Sequence, residues 1–339
     1  MELLTNNILA LQKISWLTFG AFALAMLFTP ILTDILYRYK LGKKIRQGST
    51  PIFSMLHKGK ENVPTMGGIL IWLPVIIITL LFNNVRGQTW LPLFTLVCAA
   101  LLGLTDDIYN VFRIGPNGGG IRTRHKLIWL LAIAFVGAWW FYTKLGWGTQ
   151  FGIHIPGLSD VSIGWWYIPL FVFVIVGFAN AVNITDGLDG LAGGLVMCAF
   201  GAYTIIAYVN GSYGLAAFCA SIVGATLAFL WFNIYPARFI MGDTGSLALG
   251  ATLGVVAMLT NTVFILPIIG SVFVIETLSV ILQLSYRKIT HGKKIFKVAP
   301  IHHHFEAIGW PEPKVTMRFW VVGMISAVIG ILLALLGKG

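Results

Sequence analysis

The sequence predicts an all-α polytopic membrane protein of about ten transmembrane helices. Three observations carry that prediction. Of 339 residues, 57% are hydrophobic and 10% charged, where a soluble domain carries about a quarter charged residues. The mean hydropathy is +0.84. The apolar residues also fall in long continuous runs that suit a hydrocarbon core of ~30 Å, without the alternation that marks the strands of a membrane barrel. Disorder, a secreted domain and a disulfide scaffold are excluded. Cys98, Cys198 and Cys219 all sit inside apolar runs and read as small buried hydrophobes. The chain, 1–339, reads as a single integral membrane domain.

The expected spans, in order, are 14–37, 65–83, 90–105, 127–143, 166–182, 190–208, 214–232, 246–260, 262–284 and 319–336. The first contains Asp34 and lacks a small-residue cleavage site, so it reads as a span and not as a cleaved leader. The 246–284 stretch is too long for one crossing, and Thr260-Asn261-Thr262 supplies the turn that divides it. Between spans four and five, Phe151, Ile153 and Ile155 precede Pro156-Gly157, with Val161 and Ile163 after it. That alternation predicts a small outer hairpin. No internal repeat stands out, so the inverted-repeat signature of many secondary transporters is missing.

Basic residues set the orientation. With both termini outside, the inner loops hold nineteen of the 23 Lys and Arg, and the outer segments only Lys13, Arg86, Lys144 and Lys338. That asymmetry makes the inner face cytoplasmic. It also accounts for most of the +11 net charge, and no nucleic-acid partner is expected.

Five of the seven aspartates cluster in three motifs. Asp106-Asp107 closes the third span in GLTDDIYN; Asp186 and Asp189 lie in NAVNITDGLDGLAGG; Asp243 lies in IMGDTGS. A fourth motif, APIHHHFE, holds His302, His303 and His304. The topology, fixed without these motifs, puts all four on the cytoplasmic side. Ionisable groups at membrane depth are functional candidates by default. Solvation at a helix end would be the plain reading of the Asp106-Asp107 pair, but adjacent carboxylates repel and oppose the macrodipole, so a divalent cation or a lysine is expected beside them. Capping would explain Asp186 alone, yet Asn183, Asp186 and Asp189 recur at three-residue steps close to one face. Asp243 between glycines could cap span eight, or could approach a phosphate or metal closely. The histidine run lacks zinc spacing, and carboxylates with few soft ligands suit Mg²⁺ better. The histidines are therefore read as donors to phosphate or sugar, with zinc second. His57, Lys58 and Lys60 before PTMGG, and Arg122, Arg124 and Lys126 at the end of the second inner loop, complete a setting suited to a phosphate-bearing substrate. Glu276, inside span nine, is left without a role.

In order and spacing, PTMGG, the DD pair, NxxDGLDGLAGG, MGDTGS and PIHHHFE resemble the polyprenyl-phosphate N-acetylhexosamine-phosphate transferases. The resemblance runs from about residue 38 to the carboxyl end. PIHHHFE favours the phospho-N-acetylmuramoyl-pentapeptide branch over the relatives that transfer N-acetylglucosamine phosphate. The resemblance implies Mg²⁺-dependent transfer of phospho-MurNAc-pentapeptide from UDP-MurNAc-pentapeptide to undecaprenyl phosphate at the bacterial inner membrane, giving lipid I and UMP; it also implies a homodimer. It assigns catalytic roles to Asp106, Asp107, Asp243, His302 and His303. Asp243 would be the Mg²⁺ ligand, with Asp106 or Asp107 as a second. Lys60, Thr65, Lys126, Asn183, Asp186, Asp189, Asn233 and His304 would line the substrate cleft. One departure is visible: the family usually has Phe three residues before the MGD aspartate, and here Ile240 stands there beside Phe239.

A lipid or anion carrier is the alternative from a different class. Carriers place their sites near the bilayer midplane, whereas these aspartates fall at span ends on one side.

Overall fold

The computed structural model describes residues 2–42, 63–115, 119–147, 152–155 and 160–336. The helices are α1 (Glu2–Arg38), α2 (Ile69–Phe82), α3 (Arg86–Val111), α4 (Thr123–Thr143), α5 (Tyr167–Thr185), α6 (Leu191–Val209), α7 (Tyr213–Asn233), α8 (Asp243–Leu259), the single turn α9 (Leu266–Ile269), α10 (Ser271–Ile289), α11 (Ile301–Ala307) and α12 (Glu312–Leu336). Each expected span coincides with one long helix, except the ninth, which α9 and α10 share. α1 starts well before position 14, because its polar first turns contain no Gly or Pro to stop them. α3 runs past 105 and carries Asp106 and Asp107 in its last turns.

Among the described residues seven helices are long and apolar enough to cross a membrane, and α2 and α8 are shorter apolar helices. α10 is not among the seven, since Glu276, Arg287 and Lys288 interrupt it. The lipid-side character is plain from the surface: Phe173 is 76% exposed and Trp231 73%. In water such a surface would aggregate. The chain is an all-α multi-pass membrane protein.

α8 forms the centre and is buried from Asp243 to Met258, packed between α3 and α5. Its sequence explains the position, because glycine and alanine recur along it and let neighbouring backbones close in. A Cβ on Gly250 would strike the Phe178 carbonyl in α5, and a Cβ on Gly103 in α3 would strike the Asp243 carbonyl. Around this core α7 packs on α1 and α6, α12 on α6, and α4 on α5.

The expected outer hairpin is present as one antiparallel bridge, Ile153 with Val161, closed by N–H···O bonds of 2.8 and 3.0 Å; its tip, 156–159, lies outside the described residues. Asn261, at the turn between α8 and α9, holds it down. The Asn261 amide donates to the Gly152 carbonyl at 3.0 Å and accepts from the His154 N–H at 3.1 Å.

Candidate active site

The four polar motifs meet at one end of the bundle, and three backbone hydrogen bonds bring the PTMGG segment to them. Gly67 and Gly68 of PTMGG donate to the carbonyls of Ile240 and Met241, each at 2.9 Å, and Ile240 N–H donates to Pro64 at 2.8 Å. The loop before α2 is thereby zipped to the loop before α8. Only glycine suits position 68, where a Cβ would overlap the Gly245 Cα.

At the centre stands Lys126. Its ammonium donates to Asp106 Oδ2 at 2.9 Å and to Asp243 Oδ2 at 2.5 Å. Asp106 is further held by Asn110 Nδ2 at 2.9 Å and by the Ile121 N–H at 2.8 Å. Asp243 Oδ1 accepts from Asn183 Nδ2 at 3.0 Å, and the same amide reaches Ser246 Oγ at 2.8 Å. Three distant segments, the end of α3, the start of α4 and the start of α8, are thus joined through one cation between two carboxylates. The lysine expected beside the acid pair is there.

Asp107 faces the other way. Its Oδ2 accepts the Thr244 N–H at 3.0 Å and its Oδ1 accepts from Thr65 Oγ1 at 3.4 Å, so it ties the first turn of α8 to PTMGG. Asp186 Oδ2 accepts the Gly242 N–H at 3.1 Å. Asp189 Oδ2 accepts the Ala237 N–H at 3.0 Å, while its own N–H donates to Glu312 at 2.7 Å. Asn233 has both amide atoms engaged, accepting from Gly190 N–H at 3.0 Å and donating to the Phe239 carbonyl at 2.9 Å. Several residues expected to touch substrate therefore also organise the backbone around Asp243. Lys60, with His57 and Lys58, lies outside the described residues.

The histidine motif folds as α11; the His302 and His303 rings meet edge-on with centroids 4.1 Å apart, but the three rings take different partners. His302 Nδ1 pairs with Glu276 Oε2 at 2.9 Å, His303 Nδ1 with Glu306 Oε2 at 2.6 Å, and His304 Nδ1 accepts the Lys297 N–H at 3.2 Å. Phe239 is fully buried against Phe229 and Phe232, with ring centroids 5.8 and 6.0 Å away. It does not substitute for the aromatic ring missing at Ile240.

Sequence reasoning passed over Ser246, Asn110, Glu312 and the partner of Glu276. Ser246 was within reach, because it shares the IMGDTGS motif. A polar stripe at 276, 279 and 283 inside an apolar span was the signal for Glu276.

The chain matches the family described as Glycosyl transferase family 4 over residues 89–261. It is 44% identical over 316 residues to the phospho-N-acetylmuramoyl-pentapeptide-transferase of Geobacillus sp. strain WCH70, covering 92% of this chain and 94% of that one. The enzymes of the same name from Chloroflexus aurantiacus J-10-fl and Bacillus subtilis 168 are 44% and 42% identical, each over 94% of this chain and over 88% and 97% of their own lengths.

Proposed function

Since the chain belongs to the phospho-N-acetylmuramoyl-pentapeptide transferases, membrane phosphoglycosyl transferases of peptidoglycan synthesis, we propose that the cleft around Lys126 carries out the transfer. The donor is UDP-MurNAc-pentapeptide, the acceptor is undecaprenyl phosphate, and the products are lipid I and UMP. The chain lies in the bacterial plasma membrane with this cleft on the cytoplasmic face, where the basic loops gather. The observation that carries the reading is the Asp106–Lys126–Asp243–Asn183 chain of bonds.

In the reaction an oxygen of the lipid phosphate attacks the β-phosphorus of the donor. A new P–O bond forms, the bond from that phosphorus to the bridging oxygen breaks, and UMP leaves. The second pKa of a phosphate monoester is ~6, so the nucleophile is already largely dianionic and needs little help from a base. What it needs is alignment and relief from charge repulsion. Lys126 supplies a positive charge where two anions must meet. Asn183 and Ser246 hold the Asp243 carboxylate in one orientation, and Asp107 and Asp186 hold the main chain on either side of it.

The donor set fits Mg²⁺. Among the described residues no three His, Cys, Asp or Glu side chains converge as a preformed cage. Two carboxylates, Asp243 and Asp106, share one ammonium, and Mg²⁺ characteristically takes one or two carboxylates and completes its shell with water and substrate phosphates. Bound there, it would neutralise the diphosphate. Purified protein given undecaprenyl phosphate and Mg²⁺ should release UMP from UDP-MurNAc-pentapeptide. Release from UDP-GlcNAc alone would move the chain to the sister branch; no release from either would revive the carrier.

A further inference from the structure

α10 has two faces. Ile275, Leu278, Ile281 and Leu282 are exposed, whereas Glu276, Ser279 and Gln283 are buried in one stripe on the other side. Ser279 Oγ accepts the Ile301 N–H, and Gln283 Oε1 accepts the N–H groups of Ile295 and Phe296, all at 3.0 Å. These two residues anchor the main chain leading to the histidines. The Glu276 carboxylate is hydrogen-bonded to a ring: its Oε2 lies 2.9 Å from His302 Nδ1, and both side chains are wholly buried. Glu276 Oε1 and His302 Nε2 are buried with no partner among the described residues. A buried, half-satisfied carboxylate is costly. Since the segment is already anchored, holding the loop does not account for it.

The far end of the His302 ring meets the NITDGLDG turn. A Cβ on Gly187 would overlap His302 Nε2. The preceding residue, Asp186, accepts the N–H of Gly242, next to Asp243. An unbroken series of contacts thus runs from α10 to Asp243.

We infer that Glu276 is a positioning residue for the transfer: it fixes the tautomer of His302 and so seats the Asp186 turn that holds the Asp243 backbone. A carboxylate only accepts, so the proton sits on Nδ1 and Nε2 presents a lone pair. The Gly187 methylene can approach a lone pair as a weak C–H donor; the other tautomer would thrust an N–H against it. The inference rests on the reading of Asp243 given above.

The test uses the full chain in detergent with UDP-MurNAc-pentapeptide, undecaprenyl phosphate and Mg²⁺. Glu276→Met removes the acceptor at similar size; it also leaves the buried His302 ring without its partner, which costs stability whatever the role of the pair, so the kcat-against-KM split and the tautomer carry the test. In Glu276→Met kcat should fall roughly 10- to 100-fold, with KM for the nucleotide within about threefold. Glu276→Gln, which keeps an acceptor, should recover part of kcat. In a His302→Ala background Glu276→Met should cost nothing more. Nitrogen-15 spectra should show His302 protonated on Nδ1 in the parent and on Nε2 in Glu276→Met. Parental kcat, a further loss in the His302→Ala background, or an unchanged tautomer would each overturn the inference. Full activity in Asp243→Asn would instead refute the site reading, an outcome no Glu276 variant can mimic.

Discussion

Lys126 and Asp243 are 117 positions apart in sequence, yet their charged atoms meet at 2.5 Å, and Asp106 shares the same ammonium at 2.9 Å. One cation between two carboxylates removes the repulsion that would otherwise separate α3 from the start of α8.

Lys126→Met leaves Asp106 and Asp243 facing each other without a counter-charge. The side chains are largely shielded, with 17% exposure for the lysine, 10% for Asp243 and 1% for Asp106, so leaving the two acids without their shared cation should cost about 3–5 kcal/mol. The thermal midpoint should fall in Mg²⁺-free buffer and recover in part when Mg²⁺ is added. Transfer should drop at least ~10²-fold. Thermal unfolding with and without Mg²⁺ checks both parts, and a midpoint indifferent to the mutation would show that the ammonium does not hold the acids together.

Asp243→Asn keeps the shape and removes the charge. UMP release should fall by about 10²–10³-fold with the fold intact. Near-parental activity with an altered Mg²⁺ requirement would shift the metal to another acid.

Asp106→Asn and Asp107→Asn should behave differently. Asp106 meets the Lys126 ammonium, so its loss should show in transfer. Asp107 binds the Thr244 N–H and Thr65, so its loss should also lower stability, by about 1 kcal/mol for a weakened charge-assisted bond. Parental transfer in Asp106→Asn, or an unchanged thermal midpoint in Asp107→Asn, would contradict this division.

Gly103→Ala puts a methyl group on the Asp243 carbonyl. Overpacking of this kind typically costs about 1–3 kcal/mol, and here the strain falls on the backbone that carries Asp243. A lower thermal midpoint together with a loss of transfer greater than about tenfold is expected. A variant with normal activity would show that the loop can retreat.

Selective removal of trace zinc should leave transfer unchanged, whereas removal of Mg²⁺ should abolish it. The three histidine rings take different partners, Glu276, Glu306 and the Lys297 amide, and do not share a ligand position. Activity assays with a zinc-selective chelator and with EDTA separate the two metals; loss of activity with the first would restore the zinc reading.

Apolar runs made the helices legible, because a membrane span leaves its length in the sequence directly. The turn at Asn261 was legible too: its φ of 55° is one that asparagine tolerates better than most residues. Motif order also identified Asp106, Asp243 and Asn183, which do lie together. Sequence could not show that Asn233 spends both amide atoms on the backbone, since an asparagine that binds substrate and one that braces a loop look alike. Nor could it show Glu276 meeting His302, a pairing that depends on α10 turning its polar stripe inward. The helix α11 was missed because seven residues with three histidines leave no periodic apolar signal.

The close backbone approaches around the site have a bearing on inhibition. Where Gly68 meets Gly245, Gly103 meets the Asp243 carbonyl and Gly187 meets the His302 ring, the wall behind Asp243 leaves no room for a Cβ on any of the three glycines. A compound shaped to that wall would face a surface that the organism cannot reshape by trading one residue for a larger one. Any substitution that excluded the compound would also displace Asp243 or the Asp186 turn, so escape from the drug and loss of the reaction would come together.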